Sequence, residues 1–159
     1  MTRVSSTSRS ESFAIEMVAP ASEGGTDSSE AVGRIVVGDF NETFRMALGF
    51  WSESDYLQSW CRALRELGSG TAVTSCLVAS ITDPEVSNFL FCWPLYREGE
   101  KVFVQNSVIF LDELVETFNV EEPWRFVGPR RAVSEYGDRI SEWSTDISEV
   151  EKFLSLKMG

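Results

Sequence analysis

Catalytic chemistry in this sequence could still come from paired carboxylates, although the 159-residue chain contains no histidine. Histidine is the commonest general base, the usual partner of serine and cysteine nucleophiles, and the usual nitrogen ligand of zinc. Paired carboxylates can cleave glycosidic bonds, and Asp39 with Glu42, or Glu53 with Asp55, lie close in sequence. Such pairs are more often helix caps or solvated charges. A carboxylate-dependent hydrolase stays an alternative, which two close carboxylates in a concave pocket would support.

Other motifs for catalysis or cofactor binding are missing from the sequence. Cys61, Cys76 and Cys92 are widely spaced and form no C-x-x-C pair, so neither a zinc ribbon nor a redox motif is readable. The sequence also contains no G-x-S-x-G elbow, no Walker-type loop and no G-x-G-x-x-G turn. We expect no enzyme, no metal and no cofactor, with the cysteines as small core side chains in a reducing compartment.

The charge of the chain is strongly negative, −11 from 25 acidic and 14 basic residues. Such a charge repels nucleic acid and anionic membranes and attracts basic partners, or it simply keeps the protein in solution. Residues 112–122 hold five acids and no base, and residues 135–151 hold six acids with Arg139 as their one base. Both stretches lie near the loop that contains Trp124. A negative surface beside exposed aromatic rings suits docking on a basic protein; ordinary solvated helix faces are the alternative.

The hydropathy of the chain predicts a cytoplasmic protein. Its start, MTRVSSTSRSES, lacks the apolar core of a signal peptide, and no apolar run reaches the ~18 residues of a membrane helix. Residues 1–11 are polar and rich in serine and threonine, and we expect a disordered tail. Residues 12–159 are expected to form one domain, since five tryptophans and eleven phenylalanines can fill a core.

Strands are predicted where β-branched or alternating apolar residues recur. They are expected at residues 12–19, 33–38 and 71–81, in the hairpin arms NFLFCWPLY and KVFVQNSVIFL, and near DRISEW. Pro94 predicts an edge strand or a bulge, because proline donates no hydrogen bond to a ladder. One face of the first hairpin arm carries Phe89, Phe91, Trp93 and Leu95.

Helices are predicted from capping pairs and from apolar spacing. Ser52 and Asp55 form a capping pair before a helix over 55–67, whose buried face includes Trp60. Asp146 and Glu149 form a second pair before a C-terminal helix.

Two further helical segments are expected, and together these elements define the fold class. A helix or turn is expected to begin near Asn41, and LDELVETF reads as a short amphipathic helix. The fold class is α+β, a mostly antiparallel sheet of three to five strands covered by helices. The inward face of the LDELVETF helix would comprise Leu111, Leu114, Val115 and Phe118.

Four segments of the chain carry a family resemblance: GRIVVGDFNETF, FWSESDYLQSW, NFLFCWPLYREGEKVFVQN, and ISEW followed by a helix that ends in FL. They resemble segments of the immunity proteins of bacterial contact-dependent growth inhibition systems. The resemblance covers residues 33–154. Its most specific parts are the tryptophan-containing FWSESDYLQSW string and the WPLYREGE step.

The resemblance implies a small cytosolic protein that binds the C-terminal domain of a cognate toxin and blocks it. The toxin is often a nuclease, whose basic cleft an acidic blocker would complement. No catalysis, cofactor, nucleic acid or membrane is implied. The recognisable positions are expected to define the fold more than the toxin contact. They are Trp51, Tyr56, Gln58, Trp60, Trp93, Tyr96 and Trp143.

Uncompensated charge beside a tryptophan is the basis for placing the toxin contact. The second choice is Glu98 with Glu100 in the hairpin loop. The first choice is the acidic surface, defined as Glu113, Glu116, Glu121, Glu122 and Trp124. The runner-up to the immunity function is an acidic interaction or adaptor module without a toxin, which gene neighbourhood would distinguish.

Overall fold

The fold class is α+β, as the sequence predicts, and the described residues form two antiparallel sheets and two α-helices. The computed structural model describes residues 12–19 and 29–158. The predicted disordered tail, residues 1–11, lies outside the described residues. Within those residues the sheets have three and five strands, where one sheet was expected.

The first sheet is a meander of β1 (Phe13–Ala19), β2 (Glu30–Val37) and β3 (Phe40–Ala47). Along β2 every second residue is buried, which is the pattern of a strand with one face on the core. Gly38 has φ +62° and forms, with Asp39, the two-residue turn that pairs Val37 with Phe40.

The helix or turn expected from Asn41 is wrong, because the tight turn returns the chain as a strand. All eight residues of β3 pair with β2. Three successive exposed residues, 41–43, conceal the alternation in the sequence.

The first helix, α1 (Glu53–Glu66), confirms the predicted capping pair. The Asp55 backbone N–H donates to Ser52 Oγ at 3.2 Å, and the Ser52 N–H donates to Asp55 Oδ2 at 2.9 Å. This capping box satisfies two backbone donors that the first turn leaves without partners. The predicted burial of Trp60 is also confirmed.

The second sheet has five strands, which are β4 (Ala72–Ser80), β5 (Phe89–Glu98), β6 (Lys101–Gln105), β7 (Ser107–Phe110) and β8 (Glu142–Asp146). Their order is β4-β5-β6-β8, and β7 pairs with the half of β5 that β6 does not contact. The expected strand at 71–81 is β4, and the expected hairpin is β5 with β6. Gly99 has φ +67° in the hairpin turn.

Pro94 lies in a central strand, so the expected edge or bulge is wrong. On one side β5 pairs with β4, and Pro94 stands opposite Cys76. On the other side β7 pairs with 89–92 and β6 with 95–98. Pro94 therefore falls where the partner changes from β7 to β6, and its missing N–H interrupts neither ladder on that side.

The short helix expected at LDELVETF is wrong. After a 3₁₀ turn, Leu111–Glu113, the chain runs irregularly to a second 3₁₀ turn, Pro123–Phe126. Leu111, Leu114 and Phe118 still pack against the core, but Val115 is fully exposed. Eight residues provide few helical hydrogen bonds, so these core contacts prevail over helix formation.

The C-terminal helix, α2 (Ile147–Phe153), is present, but its predicted capping pair is wrong. Asp146 is the N-cap residue and makes no side-chain cap hydrogen bond. Its Oδ1 lies 3.2 Å from Lys101 Nζ, because β8 places Asp146 opposite Lys101. A π-helical turn, Leu154–Met158, follows.

One hydrophobic core takes side chains from both sheets and both helices. The Trp60 indole N–H donates to the Val78 carbonyl at 2.8 Å, which ties α1 to β4. The Tyr56 hydroxyl donates to Ala47 O at 2.6 Å and accepts from the Ile81 N–H at 3.0 Å. Burial raises the pKa of Tyr56, so the hydroxyl keeps the proton that it donates. The single domain expected over 12–159 stays a prediction.

Candidate partner-binding surface

The acidic surface is built on an irregular loop that apolar side chains hold against the core. Leu111, Leu114 and Phe118 are half-buried and contact the core, whereas Glu113 and Glu116 between them are exposed. The Phe118 and Phe126 rings pack at 4.9 Å and join the irregular segment to the second 3₁₀ turn. The loop therefore presents its carboxylates outward from a packed base.

Part of the charge on the acidic surface is compensated, contrary to the expectation. Arg125 lies 3.0 Å from Glu116 and 3.2 Å from Glu122, both measured between guanidinium nitrogen and carboxylate oxygen. Exposed pairs of this kind contribute little to stability. Among the described residues, Glu113 and Glu121 form no salt bridge. The premise of uncompensated charge is thus wrong for Glu116 and Glu122 and stays a prediction for the other two.

Trp124 is half-buried and packs against the core, so the fold uses part of its ring. It also lines a shallow cavity of about 380 Å³ with Arg62, Asn119, Glu121 and Glu122. The structure therefore brings Trp124 together with two of the predicted glutamates.

Glu98 and Glu100, the second choice, lie at the other end of the five-stranded sheet. Glu98 is the last residue of β5, while Phe89 at its first residue pairs with Phe110, just before the acidic loop. Ten strand residues span roughly 30 Å. Both glutamates are exposed, and Glu98 lies 3.2 Å from Arg130. The two predicted contacts are therefore separate surfaces.

A cluster of side chains around Arg130 holds the segment before β8 against the second sheet. Arg130 donates to both oxygens of Glu142 at 2.8 Å, and its guanidinium lies 3.7 Å from the centre of the Phe103 ring. Gln105 also donates to Glu142 at 2.8 Å. The hydrogen bond from Arg130 lowers the pKa of Glu142 despite partial burial. Neighbouring Tyr96 donates to Gly128 O at 3.0 Å, and burial raises its pKa to about 12.

This cluster is structural, and it lacks the features of a catalytic carboxylate pair. A general acid needs a raised pKa, and the pKa of Glu142 moves in the opposite direction. No group of three or more metal-ligating side chains occurs among the described residues. Sequence spacing offered no signal for the cluster, because Glu98, Arg130 and Glu142 meet only in the folded sheet.

Of the seven recognisable positions, five aromatic residues are buried, Trp143 is half-buried and Gln58 is exposed. Gln58 is exposed on α1 and donates to Ser54 Oγ at 3.3 Å. Trp143 is half-buried and stacks on Phe40 at 3.7 Å between ring centres. The buried members are Trp51, Tyr56, Trp60, Trp93 and Tyr96.

A second exposed feature was not selected from the sequence. The outer face of the β5–β7 pair carries the phenylalanine ribbon, defined as Phe89, Phe91, Phe110 and Val108. The three rings are 44%, 46% and 50% exposed in the order given. The shared face of Phe89, Phe91 and Trp93 is visible in the sequence, but the sequence does not show that only Trp93 is covered.

No helix within the described ranges 12–19 and 29–158 is long and apolar enough to cross a membrane.

Comparison with known proteins identifies relatives across most of the chain. The model of the family described as CdiI N-terminal domain matches residues 46–153. Immunity protein CdiI of Enterobacter cloacae subsp. cloacae is 41% identical over 119 residues, which cover 75% of this chain and 81% of that protein. A chain of the solved CdiA-CT/CdiI toxin and immunity complex from Enterobacter cloacae superposes with a TM-score of 0.78. It is 38% identical, and the match covers 90% of this chain and 96% of that chain.

Proposed function

Because this chain belongs to the CdiI family of immunity proteins, we propose that it binds a cognate CdiA-CT toxin domain and blocks its activity. Family membership confirms the resemblance found in the sequence. Immunity proteins are inhibitors of toxins and are not enzymes. The observation that carries the proposal is the match, over nine tenths of the chain, to a chain of a toxin and immunity complex.

We further propose that the toxin is a nuclease and that inhibition takes place in the cytoplasm. A nuclease holds phosphates in a basic cleft, and the net charge of −11 on this chain complements such a cleft. Opposite charges on the two partners accelerate their encounter and make it sensitive to salt. The acidic surface supports this proposal because it groups four glutamates on one loop, with Arg62 and Arg125 as bases nearby.

Co-expression with the toxin domain encoded immediately upstream tests the proposed function. We expect the toxin alone to stop growth and degrade cellular nucleic acid, and we expect both effects to disappear when this chain is present. A pull-down should recover a stable complex. Continued toxicity without a complex, with both proteins folded, would reject the immunity function. Rescue of growth from a toxin that leaves nucleic acids intact would reject only the nuclease assignment.

Charge reversal tests the acidic surface. The triple variant Glu113→Lys, Glu116→Lys, Glu121→Lys is expected to raise the Kd for the toxin about tenfold or more at low salt, and to reduce its salt dependence. The matched control reverses three exposed acids elsewhere, Glu135, Asp138 and Glu151, with the same change in net charge. Equal effects of the two triple variants would show that net charge alone acts, and would remove the acidic surface from the interface.

A further inference from the structure

We propose that the phenylalanine ribbon is the apolar centre of the toxin-binding surface, and that the two acidic loops beside it form the rim. This inference rests on the proposed function, because its occupant is the toxin domain. It differs from the acidic surface alone in naming the side chains that a toxin must bury.

The ribbon is apolar on the side where a sheet that faces water would be polar. Phe89 stands opposite Phe110, and Phe91 opposite Val108, so all four share the outer face of the β5–β7 pair. Leu90 and Ile109 point to the opposite face and are buried. An antiparallel sheet with one solvated face normally alternates apolar and polar residues. A contiguous apolar patch, rich in aromatic rings, marks a protein interaction site.

The ribbon continues a face that the core covers only in part. Trp93 lies two residues beyond Phe91 on the same strand, and it is buried under the rings of Phe40 and Phe44 from β3 at 6.2 and 5.9 Å. No described element covers Phe91 or Phe89 in the same way. The interior therefore extends without interruption into the exposed ribbon.

A small cavity joins the covered and the exposed parts of this face. It holds about 260 Å³, and Glu42 and Arg45 of β3 line it together with Phe91 and Trp93. The Trp93 indole N–H is buried and has no hydrogen-bond partner within the described residues. Buried donors without partners are uncommon in native structures. The cavity adds the charged side chains of Glu42 and Arg45 beside the apolar rings.

Two loops without a basic residue lie side by side at the end of the ribbon where Phe89 pairs with Phe110. Residues 82–88 precede β5 and residues 111–122 follow β7, and the Leu111 N–H donates to Asn88 O at 2.8 Å, which joins them. A cavity of about 770 Å³ lies between the two loops. Their carboxylates are Asp83, Glu85, Asp112, Glu113, Glu116, Glu121 and Glu122.

The negative charge of these loops indicates which protein binds the ribbon. A second copy of the chain would bring an equally acidic rim to the contact, and the like charges would repel. A basic protein with an apolar patch satisfies both the rings and the carboxylates. The toxin domain of the proposed function fits through the basic cleft proposed for it, and the ribbon requires an apolar patch beside that cleft.

The test measures toxin affinity of the full-length chain by calorimetry. Phe89→Ser with Phe91→Ser is expected to raise the Kd about 30-fold or more, the size of a hot-spot effect. The control is Leu57→Ser with Leu156→Ser, two exposed apolar residues away from the ribbon, 40% and 74% exposed. We expect the control to leave the Kd within about threefold of wild type.

The outcomes separate this inference from the proposed function. Wild type is measured first, because its failure to bind would reject the proposed function and this inference with it. An unchanged Kd in the phenylalanine variant, beside a wild type that binds, would reject the ribbon alone. A wild-type dimer that the variant dissociates, without a change in toxin affinity, would assign the ribbon to a second copy and overturn the proposal.

Hydrogen–deuterium exchange on the wild-type complex keeps the inference testable if the double variant does not fold. Backbone amides in residues 82–92 and 107–116 are expected to exchange at least about fivefold more slowly when the toxin is bound. Slower exchange elsewhere, for example at 133–139, with none in these two segments, would overturn the inference.

Discussion

Two aromatic regions of this protein have similar ring contacts and opposite exposure. In the aromatic corner, defined as Trp51, Tyr56 and Trp60, the first two rings meet edge to face at 5.1 Å, and all three residues are less than a tenth exposed. In the phenylalanine ribbon, Phe89 and Phe91 meet edge to face at 5.4 Å and are nearly half exposed. Ring contact therefore does not tell a core from a surface.

The difference between the two regions lies in their polar atoms and their neighbours. The Tyr56 hydroxyl donates to the carbonyl of Ala47 at the end of β3 and accepts from the N–H of Ile81 just after β4. The Trp60 indole N–H donates to the carbonyl of Val78 within β4. Those hydrogen bonds require the corner to be buried in one geometry. The ribbon consists of phenylalanine and valine, which need no polar partner. A protein partner can therefore cover the ribbon without leaving a polar group of these side chains unpaired.

Truncation of Trp60, in the aromatic corner, should give the largest loss of stability. Trp60→Ala removes a fully buried ring and is expected to lower the free energy of unfolding by about 3–5 kcal/mol. Leu57→Ala, on the exposed face of the same helix, is the control and should cost roughly 1 kcal/mol or less. Urea denaturation measures both. Equal losses would contradict the view that burial decides the contribution of each position.

Loss of one hydroxyl gives a smaller effect that depends on hydrogen bonding alone. Tyr56→Phe leaves the buried Ile81 N–H and the Ala47 carbonyl without this partner, which should cost about 1–3 kcal/mol. Tyr136→Phe makes the same chemical change at a residue that is 83% exposed, and we expect almost no effect. A stable Tyr56→Phe protein, measured in the same urea titration, would show that the corner relies on ring packing only.

The ribbon should show the smallest effect on stability. Phe89→Ser or Phe91→Ser alone removes a cross-strand contact of an exposed ring, and is expected to change the free energy of unfolding by about 1 kcal/mol or less. Thermal and urea unfolding of each variant, without toxin, measure this change. A loss above about 2 kcal/mol would mean that the rings hold β7 to β5, and would remove the contrast with the corner.

Much of the fold follows from local patterns in the sequence. The capping pair at Ser52 and Asp55, the buried run of β4 and the Gly99 hairpin each use contacts within a few residues, and each was predictable. β3 was missed because its alternation is hidden by exposed residues and its partner strand decides its conformation. The LDELVETF segment was misassigned because core contacts of Leu111 and Phe118 prevail over a weak helical preference.

The acidic surface shows that the compensation of charge is also not predictable from the sequence. Sequence counting finds the carboxylates but not Arg125, which folds back between Glu116 and Glu122. Nor does it find Arg130, which joins Glu98 to Glu142 from three distant segments. Compensation of charge depends on distances of a few ångströms, and these are set by the tertiary fold.

The sequence by itself determined the class of this protein: its α+β elements, its negative charge, the absence of histidine, and its family. These properties depend on residue types and short spacings, which tertiary contacts do not alter. Only the tertiary structure decided which aromatic rings are core and which are exposed. That outcome depends on where β3 stops covering β5, since the same face holds Trp93 beneath two rings and leaves Phe89 and Phe91 open to solvent.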